Sequence, residues 1–420
     1  VLNTTHTYTV DGRIQQNDIF YRPKTGDPEW KTILTFGLRS GGKAFYTLDV
    51  TDPYNSGGTI NPPTLLWKFK DSDYSGESWS KPIIRQIQTI DPDDSTKVLN
   101  RWVVFLAGGF AFNDENKDDT AGKAIFVVDA STGELIWMIG YNKNGKEDDD
   151  TATTYLDTLT LSSVDNKHYT KEDVFNYSFP SAISVIDMDN NGLADTIYFG
   201  NRGGHLFKTD ISNIDQSKWR TYHIYEQVNT VLTKNTATIT AIDNSDPDQP
   251  ILTLDTKNID DYSGYNVIGT NSSTGTYAFG NVIQITTSGN IAFMTVEQMS
   301  STPFVVGQTI EVKAFDPIYL NPVIAYDTCY NLWVTFGTGD RDRPRTNPLS
   351  GKFVAIRDTG ATNIKLSSLV DIANNATTST YTEDGATYDQ TKNEFAQTYN
   401  GFYYMFPGSG EKLFDPEPLI

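Results

Sequence analysis

A single cysteine, Cys329, stands in 420 residues, so the chain holds no internal disulfide framework and no Cys-rich metal centre. Histidine is nearly as scarce. His6, His168, His205 and His223 are too dispersed for a sequence-local transition-metal motif, and none lies in a Gly-x-Ser-x-Gly or His-Glu-x-x-His context. A lone histidine in a strand, as His205 is here, reads as an ordinary structural residue. Positive charge is in deficit, with 33 Lys and Arg against 53 Asp and Glu, a net charge of -20 and a pI near 4.5. A phosphate backbone would be repelled over most of such a surface, so nucleic acid is excluded as a partner. Divalent cations and a solution outside the cytosol suit it better. Long apolar runs are also missing: the longest without a charge, Trp102 to Phe112, has 11 residues and two glycines. A helix needs about 20 to cross a bilayer, and no membrane-spanning segment is expected. No nucleophile or general-base constellation can be picked out, and carboxylates are too abundant for any two to be singled out as a glycosidase pair.

Amphipathic helical periodicity is scarce as well, while short Val/Ile/Tyr/Phe/Thr runs bounded by Gly, Pro, Asn and Asp recur throughout, which predicts an all-β chain. Four of these runs repeat one pattern: Gly41 to Asp49, Gly122 to Asp129, Gly203 to Asp210 and Gly351 to Asp358, each a strand that ends in aspartate. Each follows a strand closing on glycine, at Gly37, Gly108, Gly200 and Gly337. Tryptophan marks the next strand at Trp67 and Trp137, with Trp219 in a comparable place. Repeated antiparallel triplets of this kind predict a β-propeller with quinoprotein-like blades, and four blade-like units are visible. A closed ring would need more strands, from a neighbouring segment or a partner chain.

The terminal aspartates lie 80, 81 and 148 residues apart, and the excess in the last interval falls at about 221–310. That stretch is too long for a loop and carries its own strand patterns at Ala237–Ile242 and Asn281–Thr286, so it is expected to be an inserted small β domain. Residues 1–220 are expected to begin the propeller, 221–310 to form the insert and 311–420 to complete the propeller. Tyr262, Tyr265 and Tyr277 give the insert tyrosines that could meet a partner. The chain starts at Val1 without methionine or a leader, and Glu411 to Ile420 stops where another strand could follow, so a processed product or fragment is expected.

The sharpest chemical signal is the nine residues from Asp187 to Asp195. Asp187, Asp189, Asn191 and Asp195 place side-chain oxygens at positions 1, 3, 5 and 9, Gly192 stands at 6, and Leu193 at 7 would offer its carbonyl. Calcium takes 6 to 8 oxygens, and alternate side chains of a tight loop supply them. Position 12 is Tyr198, where an EF-hand needs Glu, and the flanks Ala182–Ile186 and Thr196–Phe199 read as strands. A Ca²⁺ loop between two strands is the expectation. The alternative is an ion-free turn rich in Asp and Asn, in which three carboxylates would repel each other. Asp114, Asn116 and Asp118 could form a second, poorer site, whereas Glu147 to Asp150 reads as a solvated loop. Gly37 to Ala44 nearly matches a phosphate-binding loop, but Ala44 replaces the required Ser/Thr and a strand follows it.

Several segments together resemble the C-terminal propeller of the PilY/PilC family of type IV pilus tip and biogenesis proteins. They are Trp30–Leu34 with Gly41, Gly42 and Tyr46–Pro53; the run from Val185 to Asp210; Asp316–Ile318; Phe336–Gly339; and Gly410–Lys412. Phe199-Gly200-Asn201 stands where Gly-Asp would be usual, a departure beyond the calcium loop, and the family's variable N-terminal region is absent. The resemblance implies a non-enzymatic protein exported through the periplasm to the pilus tip or outer cell surface. It implies association with minor pilins, promotion of pilus assembly, and attachment to a surface or host-cell receptor. It also implies that calcium sets the balance of extension and retraction. The blade pattern resembles the quinoprotein dehydrogenases too, but no vicinal Cys-Cys pair is present and the chain is short for eight blades. A calcium-dependent adhesion propeller unrelated to pili is the third reading.

Overall fold

The computed structural model describes residues 8–92, 94–111, 120–141, 160–161, 167–170, 172–227, 236–257, 259, 266–270, 277–298, 302–313, 317–339, 351–372, 380–383, 386–389 and 400–407. Asp114, Asn116, Asp118, Glu147–Asp150, Tyr262, Tyr265, Asp316, Gly410–Lys412 and the last ten residues lie outside them, as does the side chain of Tyr277. The protein is all-β. Four antiparallel sheets follow one another along the chain as blades. The first contains Ile14–Tyr21, Glu29–Gly37, Phe45–Asp49 and Thr64–Phe69. The second contains Ile83–Ile90, Val98–Ala107, Ala124–Asp129 and Leu135–Tyr141. Ser184–Ile186, Thr196–Gly200, His205–Asp210 and Arg220–Glu226 make the third. Val323–Tyr326, Leu332–Gly337, Lys352–Arg357 and Gly401–Met405 make the fourth. The latter three each gain a further parallel strand, Lys167–Thr170, Ile364–Lys365 and Val370–Asp371 respectively, and Thr160–Leu161 pairs antiparallel with the first of these.

Alternation along each strand explains the stacking. In the second blade, Val104, Leu106, Phe126 and Met138 face the first blade's Ile33, Phe45 and Trp67, while Val103, Phe105, Val127 and Trp137 face the third blade's Ile197, Phe199, Phe207 and Trp219. Successive side chains of a strand point to opposite faces, so a strand with neighbours on both sides is apolar throughout. Ala124–Asp129 is buried at all six positions. On the third blade's other face, Tyr198, Leu206, Ile224 and Tyr225 meet Val334, Phe336, Val354 and Ile356 of the fourth. Among the described residues no apolar cluster joins the fourth blade to the first, and the four sheets are not closed into a ring.

Between the third and fourth blades lies a closed six-stranded barrel, in the order Thr236–Asp243, Ile251–Leu254, Ile291–Gln298, Tyr277–Ser288, Asn266–Thr270 and Thr309–Lys313. It has its own core of residues such as Leu252, Val267, Met294 and Val312. The third blade's last strand continues to Glu226, so the barrel strands begin at Thr236 and end at Lys313.

The aspartates that end the repeat share one job. Asp49, Asp129, Asp210 and Asp358 each accept the backbone N–H two residues on, from Thr51, Ser131, Ser212 and Gly360, which turns the chain sharply out of the strand. Tryptophan then locks neighbouring blades. Trp67 of the first blade donates its indole N–H to the Ala130 carbonyl in the second at 2.8 Å, and its ring lies on Gly133. Gly133 has φ +72°, and a Cβ there would sit 2.8 Å from the Trp67 ring. Gly133→Ala is therefore expected to cost about 1–3 kcal/mol, read as a fall in the urea midpoint. An unchanged midpoint would mean that the ring slides off freely.

Candidate metal site

The loop 187–195 joins the first two strands of the third blade, and those strands pair as Ile186 with Thr196. Asn190 at φ +57° and Gly192 at φ +88° supply the two left-handed residues that a tight wrap requires. The result folds the side chains inward. Ligand oxygens of Asp187, Asp189 and Asp195 lie within 4.8 Å of one another. Oxygens that share one calcium at 2.3–2.6 Å can be no more than about 5 Å apart, so this spacing fits a calcium coordination sphere.

Backbone N–H groups hold the carboxylates in place. Asp187 accepts from Asn191 at 3.1 Å and Gly192 at 2.7 Å, Asp189 from Asn191 at 3.1 Å, and Asp195 from Met188 at 2.7 Å. Asn191 sits in the same cage: its amide oxygen accepts from the Leu193 N–H at 2.7 Å, and its Nδ2 donates to Asp189 at 3.0 Å. Burial, and then the charges of Asp189 and Asp187, push the Asp195 carboxyl up against the opposing Met188 bond. The three acids repel one another in the way a divalent cation would relieve.

The loop touches three blades. Ala194 N–H donates to the Gln86 carbonyl of the second blade at 2.8 Å, and the Tyr326 hydroxyl of the fourth lies 3.8 Å from Met188 Sδ. A groove of about 550 Å³ opens beside it, lined by Asp189, Asp195, Asp210 and Asp358 with Lys208 as the one basic residue. Two of the repeat aspartates therefore face the site, a role that their strand-end pattern did not signal. Asp49 and Asp129 each hold a cation from an adjacent strand, Lys31 and Arg101, both at 2.6 Å. Asp210 has no ion-pair partner among the described residues. The positions that pair with Asp49, Asp129 and Asp210 are Ile33, Val103 and Thr196, and two residues before them stand Lys31, Arg101 and Ala194. In the third blade, the place of the basic residue is taken by the acidic loop itself.

Histidines that sequence spacing leaves apart meet on this same blade. His205 Nδ1 lies 3.2 Å from His223 Nε2, with a Glu226 oxygen close by. Burial pushes the His223 imidazole down to about 4, and burial with the charge of His223 pushes His205 well below the usual range.

Stacked blades, with three carboxylates gathered on one loop at the head of the third, define a propeller-type protein. Its relatives are type IV pilus biogenesis factors of the PilY1 kind. No protein-family model matches the chain. It is 25% identical over 217 residues to the type IV pilus biogenesis factor PilY1 homolog of Xylella fastidiosa (strain Temecula1), covering 51% of this chain and 12% of that protein. To PilY1 of Pseudomonas aeruginosa (strain PAO1) it is 25% identical over 210 residues, 49% of this chain and 13% of that protein. The crystal structure of the Pseudomonas aeruginosa PilY1 C-terminal domain aligns with a TM-score of 0.47 at 18% identity, covering 96% of this chain and 65% of that one. The chain thus spans about one eighth of the length of these full-length relatives. Among the described residues, no helix is long and apolar enough to cross a membrane.

Proposed function

We propose that the chain is the propeller of a type IV pilus biogenesis factor that works by binding rather than by catalysis, with a calcium ion held by Asp187, Asp189, Asn191, Asp195 and the Leu193 carbonyl. The observation that carries this reading is the convergence of three carboxylates on one nine-residue turn that also contacts the blades on either side. Similarity to proteins named as pilus biogenesis factors supplies the setting.

With the ion in place, the loop becomes a rigid cross-link between two strands and a fixed tooth between neighbouring blades. Without it, carboxylate repulsion loosens that edge. Surfaces built beside the loop, among them the acidic groove, would then be offered to pilus-tip partners such as minor pilins only when calcium is bound. The same switch would serve adhesion and the balance of extension and retraction, at the pilus tip or outer surface.

The test is calorimetric Ca²⁺ titration of chelator-stripped protein beside Asp195→Ala, followed by binding of both to purified minor pilins. One site in the parent chain, lost in the variant together with calcium-dependent pilin binding, is the expected result. Pilin binding that survives in a variant shown to have lost calcium would overturn the switch.

A further inference from the structure

His205, His223 and Glu226 lie on the third blade at the end away from the calcium loop, where Gly200 pairs with Leu206 rather than where Thr196 pairs with Asp210. The register of two neighbouring strands brings them together. Phe207 stands opposite His223, and His205, two residues before Phe207, shares its face. In a regular strand Glu226, three residues after His223, would point to the opposite face. A β-bulge intervenes: Phe207 pairs with His223 but Leu206 pairs with Tyr225, which leaves Ile224 as the extra residue and sets Glu226 directly opposite His205. Bulges re-aim side chains in this way, and this one turns the carboxylate onto the histidine face.

We propose that His205, His223 and Glu226 form a binding site for a divalent first-row transition ion of the zinc class. The two imidazole nitrogens are 3.2 Å apart. Nitrogens bound tetrahedrally at 2.0–2.1 Å lie about 3.3 Å from each other, so the pair already has the separation such an ion needs. The ligand atoms of all three residues lie within 4.8 Å of one another, and the rotatable bonds of Glu226 can close the remaining distance. Two nitrogens and one carboxylate suit zinc and its neighbours rather than calcium, which takes oxygen.

The surroundings fix the histidine tautomer. His223 Nδ1 lies 2.9 Å from the side-chain oxygen of Asn363, which can only accept, so Nδ1 carries the proton and Nε2 keeps its lone pair toward His205. Partners of this kind orient metal-binding histidines. Asn363 is held for the task at φ +56°, and its N–H donates to the His223 carbonyl at 2.9 Å. Gly203 lets Tyr177 and His205 close up, since a Cβ there would lie 2.5 Å and 2.7 Å from their rings. Lys365, exposed and 3.5 Å from Glu226, holds the carboxylate until an ion displaces it.

The test is Co²⁺ titration of the whole chelator-stripped chain in excess Ca²⁺, followed by visible absorbance. A tetrahedral cobalt band that Zn²⁺ abolishes is expected. The band should disappear in His205→Asn and Glu226→Gln and persist in Asp195→Ala. Asn363→Gly keeps the left-handed backbone and should weaken affinity about 10- to 100-fold, whereas Lys365→Met should tighten it. Circular dichroism of each variant distinguishes loss of the site from loss of the fold, and Glu226→Gln, an isosteric change at the strand end, keeps the test open if a histidine variant unfolds. No band in the folded parent chain, or a band unchanged in folded Glu226→Gln, would overturn the site.

Discussion

Asp358→Ala should destabilise the protein by about 1–3 kcal/mol, the size expected when an ammonium and a hydroxyl lose their shared, buried acceptor. Asp358 follows the fourth blade's strand Lys352–Arg357, yet its partners belong to the third blade. Lys208 reaches it at 2.7 Å and the Tyr198 hydroxyl donates to the same oxygen. The Asp358 side chain is only 4% exposed. Burial pushes its carboxyl up, but the Lys208 ammonium and the Tyr198 hydroxyl outweigh burial and hold it below the ordinary range. The sign for pH follows. A carboxyl lowered on folding contributes stability that is complete above its unfolded value, about 3.9, and is lost as pH falls through the folded value. The urea midpoint of the parent chain should therefore fall on acidification, and that share of the dependence should vanish in the variant. The companion Asp358→Leu with Lys208→Met should recover most of the loss, because a well-packed apolar pair replaces a charge pair at little cost. If Asp358→Ala alone is nearly neutral, Lys208 finds solvent easily and the pair is not a brace between blades.

How much of this was legible in the sequence differs between features for physical reasons. The four strands that end in Asp49, Asp129, Asp210 and Asp358 were readable because alternation and turn chemistry are local, and the same four aspartates cap turns in the structure. The clustering of the Asp187, Asp189 and Asp195 carboxylates was readable for the same reason: all three sit within one turn. Asp210 and Asp358 as walls of the adjoining groove were not, since Asp358 is about 150 residues away and only blade stacking brings it there. The histidines illustrate a subtler limit. An antiparallel hairpin register would have set His205 near His223, but Glu226 joins them only through the bulge at Ile224, and a one-residue irregularity leaves no mark in hydrophobic periodicity. The barrel strands from Thr236 to Lys313 fall in the long interval between the third and fourth repeats, and their ends were not legible because the third blade's last strand runs on to Glu226 without a break in composition.

Calcium should stabilise the chain by about 4 kcal/mol at a free concentration a thousandfold above its dissociation constant, as mass action requires of a ligand that binds only the folded state. The ion should act where the loop is anchored. Asp195 N–H bonds the Ile186 carbonyl, its carbonyl accepts from Ile211, and Ala194 reaches Gln86 in the second blade, so fixing Asp195 restrains three strands at once. Chelation should accordingly raise hydrogen exchange at the Ala194, Asp195 and Ile211 amides more than in the barrel between Thr236 and Lys313, which shares none of these bonds. Protons compete with the ion for the Asp195 carboxyl, which burial pushes above its ordinary range, so the calcium increment should shrink on acidification. Magnesium should reproduce little of it, since a smaller ion that demands octahedral geometry and keeps its waters is poorly served by a loop of this width. Asp195→Ala should abolish the increment while leaving the cobalt band of the histidine face intact. A calcium-induced rise in stability that is equal in parent and variant would place the ion somewhere other than this loop, and a uniform change in exchange across blades and barrel would remove the local cross-link on which the proposed switch depends.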